Sequence, residues 1–224
     1  MTLLTTLEQY LDTRVPGACL ELIELPQASE VALWLMQADY PQGQLSDEQA
    51  IALMDAPPYW SFCWASGQVL AQQILRYPEW VRDQNVVDFG AGSGVVAIAA
   101  ALAGAKRAIA VDSDPLALTA AQVNAEQNGV EIEVMESLET AQSELGEECA
   151  GATCCVADVF YDRDNIPLLG AINDTFGQRL IADSRLGGAA LPGVDLIDQV
   201  NSSTVPDLNE SKDFNHVCIY RGLG

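Results

Sequence analysis

Residues 86–100 constrain the fold of this chain more than any other part of its sequence. A short apolar run ends in Asp88, and a glycine-rich turn at residues 90–94 leads directly into an alanine-rich segment. A second apolar run, residues 108–111, is followed at once by Asp112. This order predicts a β-α-β unit whose second strand ends in an acidic residue, which is the layout of a site for a ribose-bearing ligand.

The spacing of the glycines separates two kinds of nucleotide site. Gly90, Gly92 and Gly94 stand at every second position, and Val95 occupies the place where a dinucleotide-binding fingerprint requires its third glycine. Glycines in such a turn let the backbone come close to a ligand. The helix that begins near Gly94 offers N–H groups to a carboxylate. The pattern therefore disfavours a hydride-transfer enzyme.

Two aspartates follow the second predicted strand, and we expect them to have different roles. Asp112 lies where an acid accepts hydrogen bonds from ribose hydroxyls. Asp114 directly precedes Pro115, a residue that favours the first position of a helix, so Asp114 suits the N-cap. We assign Asp112 to a ligand and Asp114 to helix capping.

From residue 86 onward the sequence alternates apolar runs with helical segments. Predicted helices span residues 94–102 and 115–128, and the predicted strands begin at residue 86 and cover residues 108–111, 131–135, 152–157, 179–182 and 217–220. Such alternation predicts an α/β fold with a Rossmann-like, doubly wound and mostly parallel sheet. The stretch 187–215, rich in Gly, Pro, Asn and Ser, receives no assignment.

The front of the chain is expected to form an N-terminal extension, residues 1–57, before a main domain at residues 58–224. Apolar residues at helical spacing predict a helix near residues 3–11, and a loose alternation predicts a strand at 19–25. A capping box at residues 46–49 predicts a further short helix that ends before Pro57. An aromatic segment, residues 58–67, then leads into a predicted helix at 68–75.

Charge and composition narrow the possible partners. The chain has 32 acidic and 10 basic residues, a net charge of −22, which disfavours a phosphate-neutralising surface for nucleic acid. The acidity suits a basic or Lys-bearing protein partner, and it equally suits solubility. No apolar run reaches the roughly 20 residues of a membrane helix and the N-terminus lacks signal-peptide features, so a cytoplasmic protein is expected.

The remaining chemistry-bearing side chains give weaker signals. Six cysteines without C-x-x-C spacing are expected to be buried, reduced thiols. Neither they nor the scattered carboxylates have the spacing of a metal site. The single histidine, His216, begins the last predicted strand and is expected to be structural.

Taken with the glycine turn, two further segments carry a family resemblance. Asp158 and Tyr161 follow the strand predicted at residues 152–157, the fourth from residue 86 onward. This strand neighbours the first one in a doubly wound sheet, so Asp158 is expected in the ligand crevice. Together with the aromatic segment around Trp60 and Trp64, residues of about 57–183 resemble the seven-β-strand protein lysine methyltransferases, which use S-adenosylmethionine (AdoMet). The resemblance is greatest to the branch that methylates the electron-transfer flavoprotein β subunit, with its bacterial relatives.

The resemblance implies a seven-stranded sheet, AdoMet as cofactor and a role for each site residue. Asp158 would hold and orient the lysine ammonium and help to pass its proton to water, and Tyr161 would wall the acceptor channel. Glu136 and Ser137 stand where relatives often place Asp or Asn to bind adenine. The other implied residues are Trp60 and Asp162 in the substrate channel and Trp64, Asp88, Gly90, Gly92, Gly94 and Asp112 at the cofactor.

Three functions remain open at this stage. The chain is interpreted as a protein lysine methyltransferase, as a methyltransferase of a small molecule, or as a non-catalytic AdoMet-binding protein. Labelling of lysate proteins, or of metabolites alone, would distinguish the first two. The identity of the acceptor and the oligomeric state cannot be derived from these residues.

Overall fold

The structure, a computed structural model, describes residues 2–39, 57–160, 165–208 and 215–224. Its main feature is a seven-stranded sheet with the strand order β5-β4-β3-β6-β7-β9-β8. All neighbouring strands are parallel except β9, which runs antiparallel to both β7 and β8. The seven strands are β3 (Asn85–Phe89), β4 (Arg107–Val111), β5 (Glu133–Met135), β6 (Thr153–Ala157), β7 (Gln178–Asp183), β8 (Asp195–Asn201) and β9 (His216–Leu223). The predicted doubly wound α/β fold is therefore confirmed.

The N-terminal segment packs onto the main sheet domain through a helix. It contains α1 (Leu3–Arg14) and an antiparallel pair, β1 (Leu20–Glu24) and β2 (Ala32–Met36). Asn124 and Asn128 lie at the C-terminal end of the helix Pro115–Gln127. Their side chains accept hydrogen bonds from the backbone amides of Trp34 (2.7 Å) and Ala32 (3.0 Å), which fixes β2 to this helix. The predicted capping box and helix at residues 46–54 lie outside the described residues.

Helices cover both faces of the sheet because the strand residues alternate in direction. On one face, β-strand residues such as Val86, Cys155 and Leu180 form a core with three of the helices, and on the other Val87 and Ile181 form a second core with two more. The helices are α2 (Ala65–Arg76), α3 (Val95–Leu102) and α4 (Pro115–Gln127) on the first face and α5 (Leu138–Leu145) and α6 (Ile166–Thr175) on the second. Strands buried on both sides explain the near-continuous apolar runs in the sequence.

The order of the strands determines where a ligand site can form. From β3 the chain moves outward to β4 and β5, and it then returns to place β6 on the other side of β3. In open α/β sheets the crevice at such a reversal, outside the carboxyl ends of the strands, binds ligands.

The cysteines follow the sequence-based expectation with one exception. All six are free thiols and five are buried, but Cys19 is exposed, because it precedes the peripheral β1 rather than a core strand. Within the described ranges, no helix combines the length and the apolar character needed to cross a membrane.

Candidate active site

A cleft of about 550 Å³ lies at the carboxyl ends of five adjacent parallel strands. Its walls come from the last residues of β3, β4 and β6 and from the residues that follow β5 and β7, and the first turns of α2 and α5 close two sides. The volume falls within the range of ligand pockets in proteins. The cleft lies at the position that the strand order predicts.

The glycine turn forms one wall of the cleft. Gly90 has φ = 77°, and a Cβ added there would lie 2.5 Å from a methyl group of Val159. Gly92 has φ = 51°, and the space beside its Cα is open. Both residues line the cleft, and at Gly92 nothing stands between the backbone and a ligand.

Two residues that were assigned to the cofactor support the turn. Asp88 is only 2% exposed, and its carboxylate accepts the backbone N–H of Ala97 in the first turn of α3 (3.0 Å). Gly94, with φ = 80°, begins α3 so close to α4 that an added Cβ would lie 2.8 Å from the Cα of Ala121. Neither residue lines the cleft, and the cofactor contacts of Asp88 and Gly94 remain predictions. Burial raises the pKa of Asp88 to about 7.

Asp112 joins the glycine turn to the cleft. Its Oδ2 accepts the backbone N–H of Gly92 (2.9 Å) and its Oδ1 accepts that of Asp114 (3.0 Å). Burial raises the pKa of Asp112, and these backbone hydrogen bonds oppose the rise. Two carboxylate oxygens have about four acceptor positions, so the group retains capacity for ribose hydroxyls. Asp114 caps α4 by accepting the N–H of Leu116 (2.8 Å), which confirms the capping prediction.

Glu136 and Ser137 line the same end of the cleft, directly after β5. The Ser137 hydroxyl accepts the N–H of Thr140 (3.1 Å) and caps α5. Leu138 and Glu139 also line this end, and no sequence pattern indicated them. The adenine contact of Glu136 or Ser137 remains a prediction.

Asp158 lies at the opposite end of the cleft in an unusual backbone conformation, with φ = 52°. Its carboxylate accepts the backbone N–H of Ser66 (3.1 Å), the Ser66 hydroxyl (2.6 Å) and the Ser184 hydroxyl (3.3 Å). Burial raises the pKa of Asp158 to about 6, the nearby Asp183 adds to the rise, and the hydrogen bonds oppose it.

These contacts give Asp158 a structural role that the sequence did not reveal. Ser66 is the second residue of α2, and the residue at the N-cap position of that helix, Trp64, makes no capping side-chain bond. Asp158 therefore caps α2 from a segment 92 residues away. Tyr161 and Asp162 lie outside the described residues.

The aromatic segment divides between the core and the cleft. Trp60, assigned to the substrate channel, is 1% exposed, packs with Leu7 and Leu11 of α1 and does not line the cleft. Its neighbour Tyr59, which the sequence analysis missed, is 51% exposed and lines the cleft together with Trp64. The contact of Trp64 with a cofactor remains a prediction.

Residues after β7 and near the end of the chain complete the site. Ser184, Arg185 and Thr204 line the cleft, and a backbone bridge between Cys63 and Val205 brings the last of them there. Their only sequence signal was the position of Ser184 and Arg185 directly after a predicted strand. In the part of the chain that the structure describes, no group of three or more His, Cys, Asp or Glu side chains is arranged to hold a metal ion.

Comparisons with known proteins agree with this geometry. A family profile described as "Ribosomal protein L11 methyltransferase (PrmA)" matches residues 71–159, which include the glycine turn, Asp112 and Asp158. Residues 71–159 are therefore similar to that family. The electron transfer flavoprotein beta subunit lysine methyltransferase of Rattus norvegicus is 37% identical over 110 residues, 48% of this chain and 41% of that protein. The Homo sapiens protein of the same name is 35% identical over 122 residues, 52% of this chain and 44% of that protein.

Other relatives match shorter stretches or the fold alone. The ribosomal protein L11 methyltransferase of Haemophilus influenzae (strain PittEE) is 53% identical over 57 residues, 23% of this chain and 19% of that protein. The chain thus spans less than half the length of these curated relatives. A precorrin-6y C5,15-methyltransferase from Geobacter metallireducens GS-15 has the same fold, with 15% identity, a TM-score of 0.51, and coverage of 69% of this chain and 87% of that one.

Proposed function

We propose that this protein is an AdoMet-dependent methyltransferase that transfers a methyl group to the side-chain amine of a lysine in a protein. The observation that carries the proposal is a single cleft with two ends. Gly92 and Asp112 form an end suited to a nucleoside, and the carboxylate of Asp158 borders the other end. The names of the matched relatives support a protein acceptor, since they specify a flavoprotein subunit and a ribosomal protein.

The residues of the first end fit AdoMet. The exposed backbone at Gly92 suits the methionine part, and Asp112 has acceptor capacity for both ribose hydroxyls. Glu136 and Ser137 line the end of the cleft to which we assign the adenine. A neighbour of the same fold, described as a methyltransferase complexed with SAH, has a TM-score of 0.51 and 8% identity, and it covers 70% of this chain and 49% of that one.

The residues of the second end suit an amine acceptor. When bound, AdoMet supplies a methyl group on a positively charged sulfur, and displacement from that sulfur requires an aligned nucleophile at close distance. With a pKa of about 6, Asp158 is ionised at neutral pH and can hold a lysine ammonium at the strand end. The hydrogen bonds from Ser66 and Ser184 fix the orientation of the carboxylate. Asp158 thereby orients the amine nitrogen and helps its proton to reach water.

Charge supports a basic protein as the acceptor. Among the described residues that line the cleft, four are acidic (Asp112, Glu136, Glu139 and Asp158) and one, Arg185, is basic. The whole chain has a net charge of −22. Such a field attracts a Lys-bearing surface and repels the phosphates of nucleic acid.

Methyl-labelled AdoMet tests the proposal. The purified protein is incubated with the label and with the electron transfer flavoprotein β subunit or ribosomal protein L11 of the same organism, and in parallel with lysate. We expect label on lysine side chains of a protein, located by tandem mass spectrometry. Asp158→Asn should lose the transfer, whereas Asp174→Asn, which changes an exposed carboxylate on α6, should retain it.

Three results would contradict the proposal. Label confined to the small-molecule fraction of the lysate would indicate a metabolite as the acceptor. Label on protein groups other than lysine would refute the acceptor assignment. AdoMet binding without any transfer would indicate a non-catalytic binding protein.

A further inference from the structure

Adjacent aromatic residues of one short turn point in opposite directions. Tyr59 and Trp60 belong to a 3-10 turn, Tyr59–Ser61, that precedes α2. The Trp60 ring is buried against α1, with the ring of Tyr10 at a centroid distance of 6.5 Å. The Ser61 hydroxyl donates to the carbonyl of Pro58 (2.7 Å) and stabilises the turn. Trp60 thus anchors the segment while the Tyr59 ring remains at the cleft.

A second aromatic ring holds Tyr59 at the cleft wall. The rings of Tyr59 and Trp64 meet edge to face, with centroids 5.6 Å apart and an interplanar angle of 61°. The indole N–H of Trp64 donates to the backbone carbonyl of Tyr59 (3.1 Å). Because this bond uses the backbone of Tyr59, it survives any change of the Tyr59 side chain.

These rings line the same cleft as the acceptor carboxylate. Two residues after Trp64, the amide and hydroxyl of Ser66 bind the carboxylate of Asp158, and Tyr59, Trp64 and Asp158 all line the same cleft. The faces of tyrosine and tryptophan rings attract cations, and groups of such rings bind quaternary ammonium ions. A cleft lined by a carboxylate and by aromatic rings is therefore an environment that favours a positively charged amine over a neutral group of equal shape.

We propose that Tyr59 and Trp64, together with Asp158, form a recognition site for the positive charge of the acceptor amine. This inference rests on the proposed function and assigns the selectivity of the acceptor end to Tyr59. Lysine keeps its positive charge when it is methylated, so the same site also holds a methylated lysine. The cleft then selects cationic amines and retains a partly methylated side chain for further transfer.

Binding of two matched peptides tests the inference without catalysis. The protein, saturated with S-adenosylhomocysteine, is titrated calorimetrically with a five-residue peptide that contains trimethyl-lysine. The second peptide carries the neutral carbon isostere, in which a tert-butyl group replaces the trimethylammonium group. We expect the cationic peptide to bind in the millimolar range or tighter, and about tenfold or more tightly than the neutral one.

Variants of Tyr59 then locate the source of this preference. Tyr59→Leu should reduce the cation-to-neutral affinity ratio by about threefold to tenfold, and Tyr59→Phe, which keeps the aromatic face, should preserve most of it. Affinity for S-adenosylhomocysteine should stay the same in both variants, which controls for the integrity of the cleft.

The outcomes separate this inference from the proposed function. Equal affinity for the two peptides, or no measurable binding of either at millimolar concentration, would overturn the recognition site. A preference for the cation that Tyr59→Leu leaves intact would overturn the role of Tyr59. In each of these cases labelled methyl transfer to lysine could still be observed, whereas failure of the proposed function would appear as the absence of that transfer.

Discussion

Replacement of Asp158 by two different residues separates its structural role from its chemical role. Asp158→Asn and Asp158→Ala both remove the charge, so the comparison between them cancels the effect of that charge on stability. Asn keeps an oxygen that can accept the N–H of Ser66, and Asn also tolerates the left-handed conformation at φ = 52°. Ala has neither property.

The expected difference in stability follows from these two losses. Loss of a helix cap costs about 0.5–2 kcal/mol. A left-handed backbone costs an ordinary residue such as Ala about 1–2 kcal/mol. Asp158→Ala should therefore unfold more easily than Asp158→Asn, with a free energy of unfolding lower by roughly 1.5–4 kcal/mol. Urea denaturation followed by circular dichroism measures this difference.

Turnover should respond differently from stability. Both variants lack the carboxylate that orients the amine, so both should lose about 10²-fold or more in methyl transfer at saturating AdoMet. If Asp158→Asn retained near-normal turnover, Asp158 would serve only as the cap of α2. If the two variants were equally stable, the capping contact would not stabilise the fold.

Four further outcomes are expected. The native pKa of Asp88, about 7, exceeds the value of about 3.9 in an unfolded chain. The stabilisation from this group is therefore present at low pH and disappears as the pH rises to about 7. Asp88→Asn should flatten that part of the dependence of unfolding free energy on pH, which urea denaturation measures. The acid limb of kcat/KM should fall near pH 6 because Asp158 must be ionised. Gly94→Ala should destabilise the fold through its clash with Ala121, whereas Gly92→Ala should mainly weaken AdoMet binding, as thermal melts and calorimetry would show. If the acidic surface attracts a basic acceptor, the association rate measured by stopped flow should fall steeply with salt, and a rate independent of salt would contradict this.

Local sequence patterns were sufficient to predict most of the sheet. Strands such as β4 and β6 are buried on both faces, so their apolar runs stand out, and the glycine turn fixes the place of the ligand cleft. Strand β8 was missed because it lies at the edge of the sheet and nearly all its residues are exposed, so it has no apolar face for a pattern to reveal. Its existence depends on pairing with β9.

Contacts between distant segments explain why the environments of several site residues could not be predicted from the sequence. Whether Tyr59 or Trp60 faces the cleft depends on the packing of α1 against the turn, which no local pattern records. Asp88 was assigned to the cofactor because it precedes the glycines, but the same position lets it bind the first turn of α3. The cap that Asp158 provides to α2 joins residues 92 positions apart.

The central claim, that this cleft binds AdoMet through the end of β4, is tested most directly by calorimetric titration of AdoMet into three proteins. The unmodified protein should bind it with micromolar affinity, about −8 kcal/mol, and should not bind NAD. Asp112→Ala should lose roughly 2–4 kcal/mol of binding free energy, the value of a pair of charge-assisted hydrogen bonds. Asp114→Ala, which removes the nearby helix cap, should keep its affinity. Undiminished affinity in Asp112→Ala, or binding of NAD in place of AdoMet, would contradict the account.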